Sequence, residues 1–175
     1  NKLKKVKLTG RSEIACRLRA LSFELLTIIF QKLDLSDDVN LRQTCKAILF
    51  SVDSLYIRSS YIFNFELSKF QNLRKVNLFE INLTPAQIKK LPETIVELHL
   101  GGCDVNGVAF RQFKNLKKVN LAYARNLTPD QIQQLPETIE ELILVGGDVN
   151  GVDFRKFTNL KKVNLSYAIN LTPDQ

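Results

Sequence analysis

The chain has 175 residues, 45% of them hydrophobic and 25% charged, an ordinary globular composition that fits one large domain or two small ones. No apolar run reaches membrane-spanning length and no secretory signal pattern is seen, so no transmembrane helix is expected in these residues. The net charge of +7 is gathered at one end: residues 1–20 hold seven Lys/Arg against Glu13 alone, and the remaining residues hold 18 bases against 17 acids, which excludes a basic nucleic-acid groove in the body.

Residues 1–13 form a basic leader with Lys2, Lys4, Lys5, Lys7 and Arg11, which reads as a solvated tail or cap rather than a nucleic-acid arm. The chain contains no Met. It stops at Asp174-Gln175, where an earlier copy of the same motif runs on through Ile132 to Ile139, so the expectation is a fragment of a longer array. Cys16, Cys45 and Cys103 are unclustered on apolar patterns, as free thiols in a reducing, cytoplasmic compartment would be.

Residues 14–59 have a helical pattern. Ser22 is placed to cap a helix from Phe23 to Leu33, apolar at Leu25, Leu26, Ile29, Phe30 and Leu33, which needs burial on more than one side. Ser36 or Asp37 caps a second helix, on which Leu41, Cys45, Ile48 and Leu49 share a face. Leu21, Glu24-Leu25, Ile29-Phe30, Leu33-Asp34, Asp37, Leu41 and Cys45-Lys46 fall without a gap on the pattern of the F-box, which this stretch resembles. It departs from that pattern at Ser22 (usually Pro), Thr44 (usually Val) and Ile48 (usually Trp). The resemblance implies a helical module that docks onto a Skp-type adaptor, and through it a cullin ligase, using Leu21, Ser22, Leu25, Leu26, Ile29, Leu33, Leu41, Cys45, Lys46 and Ile48. Read from the residues alone, the same helices also serve as a plain cap on the open end of a repeat array.

From residue 60 the chain repeats itself. Stretches opening at Asn72, Asn115 and Asn159 are near copies, 43 and 44 residues apart. Each unit divides again: Leu73, Ile95, Leu116, Ile139 and Leu160 each start an apolar-x-x-apolar-x-apolar hexad, in steps of 22, 21, 23 and 21 residues. The alternation closing each hexad predicts a strand. Thr84-Pro85-Ala86-Gln87 and Thr128-Pro129-Asp130-Gln131 predict capping boxes with Pro at the first helical position, and Pro92 and Pro136 end those helices. In the alternate units Phe110, Phe113, Phe154 and Phe157 are apolar anchors at helical spacing. Phe63-Asn64-Phe65 mimics the end of a hexad, so residues 60–72 read as a degenerate first repeat. The five hexads resemble the leucine-rich repeat family. The implied fold class is α/β: an N-terminal helical module, then a solenoid over 60–175 with a parallel β-sheet on its concave face.

In such a sheet Lys75, Glu97, Lys118, Glu141 and Lys162 stack as an alternating ladder on a nearly neutral face. The ladder reads either as structural surface or as part of a ligand surface anchored by Phe79, His99, Tyr123, Ile143, Val145 and Tyr167. Catalysis and cofactors are not expected: His99 is the only histidine, Cys103 lies too far along an extended chain to share a metal with it, and Gly101-Gly102 and Gly146-Gly147 lack phosphate-loop spacing.

The two resemblances together imply the non-catalytic substrate receptor of an SCF-type ubiquitin ligase, holding an unknown target protein on the repeats, with no nucleic acid and no membrane span. A plain leucine-rich-repeat scaffold is the alternative. The near-identical repeats would also suit an effector that an intracellular bacterium delivers to its host's cytoplasm.

Overall fold

The structure, a computed structural model, describes residues 53–56, 70–81 and 83–175. The leader, the two helices expected before residue 52, the adaptor-facing set from Leu21 to Ile48, Cys16 and Cys45, and Phe63-Asn64-Phe65 lie outside the described residues.

Six short parallel strands stack in chain order: β1 (Ser54–Tyr56), β2 (Lys75–Asn77), β3 (Glu97–His99), β4 (Lys118–Asn120), β5 (Glu141–Ile143) and β6 (Lys162–Asn164). From β2 on, each strand is the middle of one hexad. Its central residue (Val76, Leu98, Val119, Leu142) points into the core, beside the residues that open and close the hexad, such as Leu73 and Leu78. Strand geometry sends the flanking positions to the opposite face. The register is unbroken, with Val76 beside Leu98, Leu98 beside Val119 and Val119 beside Leu142, so one buried apolar column runs from β2 to β5.

The strand series begins earlier than the expected start at residue 60. Val52-Asp53-Ser54-Leu55-Tyr56-Ile57 has the hexad form and starts 21 residues before Leu73. Its strand pairs with β2, and the Asp53 carbonyl accepts from the N–H of both Arg74 (2.8 Å) and Lys75 (2.9 Å). The same forked bond joins later units, for example from Val96 and Glu97 to the Arg74 carbonyl.

The segments between strands alternate in kind. Helices α1 (Pro85–Ile88) and α2 (Pro129–Gln133) carry the expected capping boxes: Thr84 Oγ1 accepts from the Gln87 N–H and Gln87 Oε1 accepts from the Thr84 N–H, and Thr128 and Gln131 repeat the pattern. At four and five residues these helices are too short to stand alone, and burial of Ile88 and Ile132 holds them. The Phe-x-x-Phe segments form 3-10 turns, Phe110–Gln112 and Phe154–Lys156, rather than α-helix. Three residues per turn bring positions i and i+3 into line, so the Phe110 and Phe113 rings meet at 6.5 Å and the Phe154 and Phe157 rings at 6.3 Å.

Side chains staple unit to unit. The buried Gln131 amide donates to the carbonyls of Val105 (2.7 Å) and Val108 (3.0 Å), and Gln175 repeats this on Val149 and Val152. Thr94 and Thr138 hydroxyls donate to the carbonyls of Leu73 and Leu116, each at 2.7 Å. The Cys103 thiol donates to the Leu78 and Ile81 carbonyls, and burial pushes it up to about 11, so it is a neutral packing group.

Candidate functional site

The open face of the sheet presents three rows of side chains. The row that opens the strands is the charge ladder, in the expected order: Lys75 beside Glu97, then Lys118, Glu141 and Lys162. Lys118 Nζ lies 2.9 Å from Glu141, while Lys75 to Glu97 and Lys162 to Glu141 are 3.5 Å. One residue earlier in each hexad a second ladder runs alongside, in which Glu140 binds Lys117 (2.8 Å) and Lys161 (2.7 Å). Hydrogen bonds from those two lysines bring the Glu140 carboxyl down from 4.5 to about 2. Burial raises Glu97, but the His99 hydrogen bond and the Lys75 charge outweigh it and leave it below the ordinary range. Taken together the two ladders are not neutral. Arg74, Lys75, Lys117, Lys118, Lys161 and Lys162 stand against Asp53, Glu97, Glu140 and Glu141, an excess of two positive charges where the single ladder read from sequence shows one.

The middle row is Asn77, His99, Asn120, Ile143 and Asn164. Each asparagine turns the chain at the end of its strand: Oδ1 accepts from the N–H two residues on, at Phe79 (3.1 Å), Ala122 (2.9 Å) and Ser166 (3.0 Å). His99 Nε2 lies 3.0 Å from Glu97 Oε1. Among the described residues no three His, Cys, Asp or Glu side chains gather where they could hold a metal.

The third row follows the strands. Every unit there passes through a left-handed residue: Glu80 (φ 59°), Gly102 (72°), Tyr123 (52°), Gly146 (71°) and Tyr167 (57°). Bulky and small residues alternate. A Cβ on Gly101 would lie 2.5 Å from the Phe79 ring, and one on Gly146 would lie 2.9 Å from the Tyr123 ring. Each ring thus lies across a glycine of the next unit. The rings remain open to solvent, Phe79 at 42% and Tyr123 at 59% exposure, as does Tyr167 in the last unit of the sequence. Of the sequence-predicted anchors, these three are exposed and His99, Ile143 and Val145 are half-buried on the same face. Gly101 and Gly146 are the turn glycines that follow the strands in the sequence; their seating of the neighbouring rings, and the turn bonds of the asparagine row, emerge only from the stacked units.

Among the described residues no helix is long and apolar enough to cross a membrane. Residues 18–60 match the F-box domain family, a span that takes in β1. No curated protein matches the chain. Solved structures of 14 chains match its fold. One is the crystal structure of an internalin from Listeria monocytogenes, 15% identical, with a TM-score of 0.57 over 83% of this chain and 43% of the internalin. The chain spans less than half of that protein, and the likeness carries the fold alone, not the origin. With the 21–23-residue strand spacing and the unbroken parallel register, the chain carries a segment at residues 18–60 that matches the F-box domain family and a solenoid of leucine-rich-repeat fold.

Proposed function

We propose that this protein is the substrate-recognition subunit of a cullin-based SCF-type ubiquitin ligase. The F-box segment, within a helical module over residues 14–59, holds a Skp-type adaptor through the face from Leu21 to Ile48, and the repeats over 60–175 hold the target protein. The observation that carries this reading is the F-box match at residues 18–60, continuous with a repeat array whose open face bears exposed aromatic rings. The chain performs no bond-making step itself. It raises the effective concentration of the target beside the ubiquitin-conjugating machinery, in the cytoplasm.

The test is co-purification with a Skp-type adaptor. A one-to-one complex is expected, abolished by Leu21→Ala with Ile29→Asp while the circular dichroism of the repeats persists. A soluble chain with no adaptor binding by calorimetry would leave a leucine-rich-repeat scaffold whose N-terminal segment only caps the solenoid. Pairing of β1 with β2 favours that second reading, because the end of the matched segment is itself a rung of the sheet. The effector origin rests on repeat style alone and forms no part of the proposal.

A further inference from the structure

Tyr123 and Tyr167 sit in equivalent turns, where the intervening unit places Gly146. A left-handed conformation costs a side-chain-bearing residue about 1–2 kcal/mol, and glycine escapes that cost. Fold stability therefore favours glycine at every one of these turns, so the tyrosines point to a role for the ring itself. The two rings are two strands apart in register, and strands lie about 4.8 Å apart, so the ridge repeats at about 9.6 Å.

That repeat selects among peptide conformations. A polyproline II helix advances about 9.3 Å per three-residue turn. An extended strand presents the same face about every 6.7 Å, and two turns of α-helix span about 10.8 Å. Only the polyproline II spacing stays within a few tenths of an ångström of the ridge. Beside the ridge, Asn120 and Asn164 use Oδ1 on their own turns, and their amide nitrogens have no hydrogen-bond partner among the described residues. Those donors suit the unbonded carbonyls of a polyproline II chain. On the far side of the asparagine row lie the two ladders with their two excess positive charges.

Resting on the reading of the array as the target-binding part, we propose that this face takes an acidic, proline-rich segment of the target, lying across the strands in polyproline II conformation. Prolines at every third position pack on Tyr123 and Tyr167. Carboxylates on the next face of the peptide meet Lys75, Lys118 and Lys162.

The test is fluorescence anisotropy of the full chain with a labelled Glu-Pro-Pro repeat peptide, against Lys-Pro-Pro and Glu-Gly-Ser repeats of equal length. Binding of the first is expected, weakened about tenfold in each control and about tenfold by Tyr123→Ala. Tyr123→Phe keeps the ring and should retain binding, and thermal melts check that both variants fold. Equal binding of the Glu-Gly-Ser peptide, equal binding of the Lys-Pro-Pro peptide, or no binding of the Glu-Pro-Pro peptide each overturns the inference. Adaptor capture measured on the same samples keeps the two proposals apart: capture without peptide binding sinks only this one.

Discussion

The units whose strands begin with lysine (β2, β4, β6) and those whose strands begin with glutamate (β3, β5) share one backbone path and solve it with different chemistry. In the lysine units β2 and β4 a capped helical turn closes the far side and a bulky residue holds the left-handed turn. In the glutamate units a 3-10 turn built on paired phenylalanines closes the far side and glycine holds the turn. Opposite charges meet at every strand boundary from β2 to β6, and each ring lies over the following unit's glycine. The difference teaches that the stable element is the pair. Neither kind of unit could stack on its own copy without like charges, ring against ring, or glycine against glycine.

The comparison breaks most severely in the core. Phe113→Ala, in the fully buried phenylalanine pair of a glutamate unit, should cost about 3–5 kcal/mol in urea unfolding. In the lysine units the matching support is polar. Gln131→Leu leaves the Val105 and Val108 carbonyls without their donor and should cost about 1–3 kcal/mol in the same measurement. Exchanging turn chemistry tests the bulky-small alternation directly. Gly146→Val should cost about 1–2 kcal/mol from the backbone alone, with a ring clash at 2.9 Å added. Tyr123→Gly should move stability by less than about 1 kcal/mol, since released strain offsets the entropy of the new glycine; a larger loss would make the ring a structural group rather than a binding one.

The smallest effect is that of charge. Glu140 and Glu141 are held below their ordinary range in the folded protein, Glu140 at about 2. Their contribution is therefore present above pH 4.5 and lost as pH falls toward 2. Thermal midpoints should decline across that window, and Glu140→Gln with Glu141→Gln should flatten part of the decline. Both groups are solvent-screened, so about 1 M salt should erase the difference between variant and parent.

Sequence periodicity made the strands legible because β2 to β5 each bury a central apolar residue beside those that open and close the hexad, a pattern that admits one register and that β6 repeats in sequence. The capping boxes were legible because Thr, Pro and Gln act within three residues of one another. β1 obeys the same pattern from Val52 to Ile57, yet its residues also close the F-box match, and one segment serving two patterns is easily assigned to only one of them. Tyr123 in a left-handed turn was illegible for a different reason: local propensity reserves such turns for Gly and Asn, and only the neighbouring unit's glycine makes room for the ring. The second role of Gln131 was equally hidden, since its acceptors lie 26 and 23 residues upstream.

The ring-over-glycine contact also sets a parity rule on how the gene for such an array can change length. Loss or gain of one unit by replication slippage would bring the Phe79 ring against the Cβ of Ala122, or one glycine turn against another, and would set lysine strand beside lysine strand. Loss or gain of two units restores every contact. Viable length variants of this array should therefore differ by about 43–44 residues, the spacing at which its copies already lie, and never by half of that.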